Sequence, residues 1–149
     1  MMKKKMILIV TLFAALLAGC SAVEEVGRSV NYTSDAAAYI NDASQWAQEL
    51  PEMAQNAATD PQAQKQLQQE LDNIQKRASE FAQADVPEFA QGIHQQLSGY
   101  NETLNTQIDN IQQRIQAGDF TPEMLQNTEV MQTLQEIRGL MDQVQQLGQ

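Results

Sequence analysis

The sequence predicts an all-α protein, an elongated up-and-down antiparallel helical bundle of three long helices plus a shorter fourth element. Three observations lead to this prediction. Apolar residues recur every three or four positions through most of the chain after residue 20, which is the period of an α-helix. Each interruption of that period carries a proline, a glycine or a helix-capping side chain. No segment alternates apolar and polar residues as a half-buried β-strand does.

The first helical segment extends from about residue 23 to residue 58, and its start is weak. Gly27 and residues 31–33 are poor helix formers, so the helix is expected to restart with an N-cap at Ser34 or Asp35. Pro51 either kinks this helix or separates two helices. The stripe expected to face the core consists of Ala36, Tyr39, Ile40, Ala43, Trp46, Ala47, Leu50, Met53 and Ala57.

Two further long helices follow. Asp60-Pro61 supplies an N-cap and a first helical residue, and the second helix continues to about Ala84. After the break at Asp85-Val86-Pro87, the third helix is predicted from Pro87 to about Ala117, with Gly118 ending it. At 1.5 Å per residue it would be about 46 Å long. The expected core residues are Leu67, Leu71, Ile74, Ala78 and Phe81, then Ala90, Ile93, Leu97, Tyr100, Leu104, Ile108, Ile111 and Ile115.

The shorter fourth element begins after a turn at Thr121-Pro122-Glu123. Its helix is predicted over residues 129–147, with Val130, Leu134, Ile137, Met141, Val144 and Leu147 facing inward. The short connections at 59–60, 85–86 and 118–121 favour antiparallel neighbours, and the heptad-like spacing is typical of coiled-coil packing. The alternative is an open hairpin that completes its core by forming a homodimer.

The first twenty residues have the three parts of an export signal. A positive segment, Lys3 to Lys5, precedes an apolar run over residues 6–18 that only Thr11 interrupts. A bilayer needs about 20 apolar residues, so this run is too short to span one. The run closes with Leu17-Ala18-Gly19-Cys20, which resembles the lipobox of bacterial lipoproteins.

That resemblance implies cleavage between Gly19 and Cys20 by the lipoprotein signal peptidase, with Leu17, Ala18 and Gly19 as its recognition residues. It also implies a diacylglycerol linked to the thiol of Cys20, the single cysteine of the chain. The alternatives are a secretory signal with an incidental cysteine, or a short membrane anchor. Two acyl chains give stable anchoring, so the mature protein is expected at the cell membrane, on its extracytoplasmic face.

Cleavage divides the chain into three parts: a signal peptide over residues 1–19, a lipidated N-terminus and short tether over 20–34, and a helical bundle domain over 35–149. The mature chain has six basic and nineteen acidic residues, a net charge of −13. Nucleic-acid binding depends on cations that neutralise phosphates, so a nucleic-acid partner is not expected. Glutamine is the dominant residue, with 24 copies, and it is a good helix former on a solvated face.

No catalytic, metal or non-covalent cofactor site is predicted. His94 is the only histidine, and no carboxylate lies three or four positions from it along its helix; it is interpreted as a partly exposed helix histidine. Glu49 and Glu52 form an i,i+3 pair across Pro51, but no calcium-loop sequence accompanies them. The six aromatics considered for a ligand groove are interpreted as core residues: Tyr39, Trp46, Phe81, Phe89, Tyr100 and Phe120. Met124, Met131 and Met141 are likewise interpreted as packing residues.

Three segments carry a wider resemblance. The lipobox is followed closely by Val23-Glu24-Glu25-Val26, then by Tyr39-Ile40-Asn41-Asp42-Ala43, and the last helix starts with Asn127-Thr128-Glu129-Val130-Met131-Gln132-Thr133. Together they resemble a family of small, functionally uncharacterised lipoproteins of Bacillus-like Gram-positive bacteria. The resemblance covers nearly the whole chain and implies attachment to the outer face of the cell membrane. It supplies no activity and no site residues.

The sequence therefore favours a membrane-anchored, non-enzymatic helical module that binds another envelope protein. The alternative from a different class is a ligand-binding or carrier lipoprotein with an apolar pocket between its helices. A cell-wall hydrolase would need a carboxylate or histidine with a strongly shifted pKa in a cleft.

Overall fold

The structure is a computed structural model that describes residues 19–126 and 128–148. Within these ranges the chain forms helices, turns and short irregular connections, with no β-strand. The helices are α1 (Gly19–Ala57), α2 (Pro61–Ala82), α3 (Gln91–Ala117), α4 (Glu129–Gly139) and α5 (Met141–Leu147). Two 3₁₀ turns, Glu88–Ala90 and Pro122–Leu125, precede α3 and α4. The prediction of an all-α bundle is confirmed.

Polar contacts between α1 and α2 show that these helices are antiparallel. The Arg77 guanidinium donates to the Asp42 carboxylate at 3.0 Å, and further along both helices Arg28 lies 3.8 Å from Asp85. Going from Asp42 back to Arg28 in α1, the contacted residue advances from Arg77 to Asp85, so the two chain directions are opposite.

Glutamines join α2 to α3 in the same antiparallel sense. Gln75 donates to the Asp109 carboxylate at 2.7 Å, and Gln112 donates to Asp72 at 2.6 Å. Two of the many glutamines therefore act as donors between helices. The α4 helix packs against both α1 and α3, and α5 packs against α1, so the fourth element closes the bundle.

The α1 helix is longer and more continuous than the sequence predicts. Residues 31–33, expected to weaken it, are helical, and the predicted restart with an N-cap at Ser34 or Asp35 is wrong because both residues lie inside α1. Tyr32 is a core residue only 3 % exposed. Packing of Tyr32 outweighs the low helix propensity of its neighbours, since tertiary contacts supply most helical stability in proteins. Pro51 lies inside α1 and does not divide it, because the buried residues Leu50 and Ala54 hold both sides of the proline against the core.

The core contains nearly all of the residues predicted to face inward. The five predicted positions of α2 are buried, and those of α3 are buried with one exception. Tyr100 is half-buried, and its neighbour Asn101 takes the inward position. In α1, Ala47 and Met53 are half-buried and Ala54 is buried.

The start of α3 and the last helix differ from the sequence prediction. Pro87 is in an extended conformation, and the α-helical part of the third helix begins at Gln91 after a 3₁₀ turn. The prediction of one unbroken last helix is wrong, because it is interrupted at Leu140. The Leu140 amide donates to the Ile137 carbonyl, only three residues back. This tighter turn follows Gly139, a poor helix former, and it buries Leu140 while Met141 is half-buried.

The start of α2 and the end of α3 follow the predicted caps. The Asp60 carboxylate accepts a hydrogen bond from the Gln62 amide at 2.8 Å, and Pro61 is the first residue of α2. Gly118 ends α3 in the left-handed conformation, with φ at +76°. Its successor Asp119 donates its amide to the Arg114 carbonyl at 2.9 Å. These caps satisfy backbone groups that a helix end would otherwise leave unpaired.

Candidate functional site

The predicted lipid-attachment position lies at the beginning of α1. Gly19 and Cys20 are its first two residues, whereas Leu17, Ala18 and the rest of the predicted signal peptide lie outside the described residues. The helix continues without a break from Cys20 into the bundle core. Among the residues whose side chains the structure describes, Tyr32 is the first core residue after it, twelve residues on, which corresponds to roughly 18 Å of helix.

An aromatic cluster occupies the end of the bundle nearest to Cys20. The rings of Tyr39 and Phe81 are stacked, with centroids 4.6 Å apart, and the Trp46 ring meets Tyr39 edge-on at 6.1 Å. Tyr32 packs against Phe81 at 6.2 Å. Aromatic pairs at these separations contribute beyond their buried area. The cluster packs α1 against α2 next to the part of α1 that leads to Cys20.

His94 lies at the edge of this cluster. Its Nδ1 atom is 3.3 Å from the Tyr32 hydroxyl, and its ring centroid is 5.3 Å from that of Phe81. The side chain is partly exposed, as the sequence interpretation expects. His94 therefore packs against Tyr32 and Phe81 at the edge of the core.

A buried polar pair connects α1 to α3 across the core. The Tyr39 hydroxyl donates to the Asn101 side-chain oxygen, and the Asn101 amide group donates to the Ala78 carbonyl at 3.4 Å. Burial raises the pKa of Tyr39 above its usual 10.0, so the phenol stays protonated and acts as a donor. Burial also raises the pKa of Tyr32, to about 12. Sequence reasoning missed Tyr32 and Asn101, because polar residues carry no signal in an apolar periodicity.

An open groove of about 460 Å³ lies between the C-terminal half of α3 and the start of α4. Its apolar floor includes Ile111, Met124 and Val130, and its rim includes Arg114, Gln107 and Thr128. The Gln107 side-chain oxygen and the Thr128 hydroxyl are buried here without a hydrogen-bond partner. The apolar signal alone could not reveal this groove.

The predicted carboxylate pair of α1 lies on the surface of the helix. Glu49 and Glu52 are both exposed, and Glu49 accepts a hydrogen bond from Gln45 at 2.8 Å. In the part of the chain that the structure describes, no group of three or more histidine, cysteine, aspartate or glutamate residues could hold a metal ion. Of the six aromatics, Tyr39, Trp46 and Phe81 are buried, Tyr100 and Phe120 are half-buried, and Phe89 is 44 % exposed. Met131 is buried, whereas Met124 and Met141 are half-buried.

The surface is polar and acidic. The ion pairs Arg28–Asp85 and Lys76–Glu80 are largely exposed, and such pairs contribute little to stability. Among the described residues, no helix is both long enough and apolar enough to cross a membrane.

The fold and the N-terminal sequence together define a class of protein: a small helical bundle whose first helix starts at a lipobox-type cysteine. Within this class, the chain belongs to a family of unknown function, DUF6376, which matches residues 32–147. It is also 32 % identical to an uncharacterised lipoprotein, YybP, of Bacillus subtilis strain 168. That similarity covers 97 % of this chain and 99 % of the relative. The expected membership of a family of uncharacterised lipoproteins is thus confirmed. No solved structure matches the chain.

Proposed function

We propose that the protein is a lipid-anchored, non-enzymatic module that presents its helical bundle at the outer face of the cell membrane to bind another envelope protein. The observation that carries this proposal is the continuity of α1 from Gly19 to Ala57. A helix that runs from the lipid-bearing residue into the core holds the bundle at a defined height, whereas a flexible linker would let it reach many positions. Such fixed presentation suits recognition of a partner in the same membrane.

The anchor consists of diacylglycerol on Cys20, exposed after cleavage behind Leu17, Ala18 and Gly19. The lipoprotein relative, which the chain covers almost entirely, supports this chemistry. Mass spectrometry of the N-terminal peptide from the membrane fraction tests it. The expected peptide begins at Cys20 and carries a diacylglycerol joined to its sulfur by a thioether, while Cys20→Ala leaves an uncleaved or soluble chain. An unmodified Cys20 in the mature protein would contradict the proposal.

The interaction partner is tested by crosslinking in intact cells. The wild-type protein is compared with Cys20→Ala at matched abundance, and captured proteins are identified by mass spectrometry. A defined envelope protein captured only by the anchored form supports the module. Equal capture by both forms, or none by either, contradicts a role that depends on presentation at the membrane.

The groove between α3 and α4 favours a second candidate function, that of a carrier of a small ligand. Its lining combines the apolar side chains of Ile111, Met124 and Val130 with the polar residues Arg114 and Asn110, which would suit an apolar ligand that carries a polar group. Thr106 lines the groove, so Thr106→Trp should fill it, and Thr103→Trp, on an exposed part of the same helix, is the matched control. Native mass spectrometry of the purified lipoprotein would support a carrier if a ligand is retained in the control and lost in Thr106→Trp. An unliganded wild-type protein would count against it.

A further inference from the structure

The end of the bundle nearest to Cys20 carries exposed apolar side chains. Val30 is 63 % exposed and Phe89 is 44 % exposed, and these are the large hydrophobic residues left exposed among the described side chains. Val30 belongs to α1, and Phe89 belongs to the turn before α3. Single exposed hydrophobic residues are ordinary on protein surfaces, so their position relative to the anchor has to carry the argument.

Two contacts place Val30 and Phe89 at the same end of the molecule. Arg28, two residues before Val30, lies 3.8 Å from Asp85 in the connection between α2 and α3. The hydroxyl of Tyr32, two residues after Val30, lies 3.3 Å from Nδ1 of His94. His94 in turn follows Phe89 by five residues. Both exposed residues are therefore at the level where α1 leaves the bundle toward Cys20.

We propose that this end of the bundle rests on the membrane surface, with Phe89 inserted among the lipid headgroups. The proposal depends on the lipidation of Cys20 described under the proposed function. It adds a second contact with the bilayer, made by the folded domain itself.

The length of α1 makes this contact accessible. Eight residues separate Cys20 from Arg28, which is about 12 Å of helix. The headgroup layer on one side of a bilayer is about 5–7 Å thick, from the difference between total and hydrocarbon thickness. The end of the bundle is therefore never far above the headgroups, and a tilt of α1 brings Phe89 into them. Apolar area removed from water then stabilises the tilted orientation.

The charges at this end indicate an apolar contact rather than an electrostatic one. Asp85 and Glu88 are acidic and exposed, and the nearby Arg28 is already within ion-pair distance of Asp85. An acidic surface gains nothing from anionic lipid. The contact is therefore expected with electrically neutral phosphatidylcholine vesicles and at any salt concentration.

The test uses the full lipidated protein in phosphatidylcholine vesicles that contain a lipid with a quencher on its acyl chain. With the Cys20 thiol acylated, one introduced cysteine gives a unique labelling site. Gly92→Cys places a fluorophore close to Phe89, where a side chain meets no atom within 4 Å. Thr59→Cys, exposed in the connection between α1 and α2, places the same fluorophore at the opposite end.

We expect strong quenching of the label at residue 92 and little quenching at residue 59. In the Gly92→Cys background, Phe89→Ser should reduce the quenching severalfold without releasing the protein from the vesicles. Equal quenching at the two sites, with the protein still floating with the vesicles, would overturn the membrane contact and leave the anchor intact. A protein that does not float would overturn the anchor itself. Protection at residue 92 that rises with protein density would assign this surface to a second copy of the chain and overturn the lipid contact.

Discussion

Asn101 is a polar side chain inside the apolar core of the bundle. It is 2 % exposed, accepts from the Tyr39 hydroxyl and donates to the Ala78 carbonyl. Each member of this chain of hydrogen bonds satisfies another, so the energetic effect of one substitution depends on which partner it leaves unpaired. A buried group that loses its partner costs about 1–3 kcal/mol.

A double-mutant cycle on Tyr39 and Asn101 is expected to show strong coupling. Tyr39→Phe leaves the Asn101 oxygen unpaired, and Asn101→Leu leaves the Tyr39 hydroxyl unpaired, so each should lower the free energy of unfolding by about 1–3 kcal/mol. The double variant removes both orphaned groups and should lose less than the sum of the single variants, by about 0.5–3 kcal/mol. Urea unfolding measures all four proteins. Strict additivity would show that the hydrogen bond contributes no coupling.

Alkaline pH is expected to destabilise the fold through the buried tyrosines. Burial raises the pKa of Tyr32 from 10.0 to about 12, and it raises the pKa of Tyr39 as well. Above pH 10 the unfolded chain releases phenolic protons that the folded chain retains, which favours unfolding. The free energy of unfolding should therefore stay level up to about pH 10 and fall from there toward pH 12.

Denaturant unfolding at a series of pH values measures this loss. Tyr32→Phe should make the decline above pH 10 shallower, because one group with a raised pKa is removed. Tyr100→Phe, which changes a tyrosine outside the aromatic cluster, is the matched control and should leave the decline as it is in the wild type. A decline of equal steepness in Tyr32→Phe would show that Tyr32 is not responsible.

At the scale of the helices, the ends depend on a few residues with defined backbone roles. The Asp60 carboxylate caps α2 through the Gln62 amide at 2.8 Å. Asp60→Ala is expected to lower the free energy of unfolding by about 0.5–2 kcal/mol, as loss of an N-cap does. Asp60→Asn should retain most of the capping energy, and the adjacent Thr59→Ala should have little effect. Chemical denaturation compares the three, and an equal loss in Asp60→Asn would show that charge rather than capping matters.

Two glycines of α3 should respond to alanine in opposite directions. Gly99 is in the middle of the helix and exposed, with no atom within 4 Å of an added Cβ. Gly99→Ala should therefore raise the free energy of unfolding by about 0.5–1 kcal/mol. Gly118 has φ at +76°, so Gly118→Ala forces a strained conformation and should cost about 1 kcal/mol. Thermal or urea unfolding shows whether each variant is more or less stable than the wild type. A higher free energy of unfolding for Gly118→Ala would contradict the role of Gly118 in ending α3.

The elements that the sequence predicts well are those whose inward face is purely apolar. In α2, the 4-3-4-3 spacing of Leu67, Leu71, Ile74, Ala78 and Phe81 matches the buried set. Hydrophobic spacing does not predict the buried position of Asn101, because this polar side chain is buried together with its hydrogen-bond partner Tyr39. It also fails at Leu140, whose amide bonds to the Ile137 carbonyl three residues back, so that Leu140 rather than Met141 is buried. Backbone adjustments and partners distant in sequence leave no trace in a local hydrophobic period.

The candidate sites also differ in whether local sequence can predict them. The lipobox can be read from four consecutive residues, because the anchor chemistry depends on local sequence. The groove between α3 and α4 requires residues from both helices, and the shared level of Val30 and Phe89 requires the antiparallel packing of α1 and α2. Surfaces built from separate helices appear only once the helices are assembled.

At the scale of the whole molecule, charge repulsion opposes folding. Residues 20–149 carry a net charge of −13, and the compact state brings these charges together. The ion pairs given above are partly to largely exposed and offset little of this repulsion. Salt should therefore stabilise the fold, since the screening length falls from about 30 Å at 0.01 M to about 8 Å at 0.15 M.

We expect the thermal unfolding midpoint to rise between 0.01 M and 0.15 M NaCl and then to level off. At the higher concentration the screening length is already comparable to the distance between neighbouring surface charges, so further salt changes their repulsion little. A variant with four exposed carboxylates changed to amides, at Glu52, Glu102, Asp119 and Asp142, should be more stable than the wild type at low salt and less sensitive to added NaCl. Calorimetry of both proteins across the salt series tests this. A midpoint that falls as salt is added would show that favourable charge pairs outweigh the repulsion, and the acidic surface would then be a source of stability rather than a cost of keeping the bundle soluble.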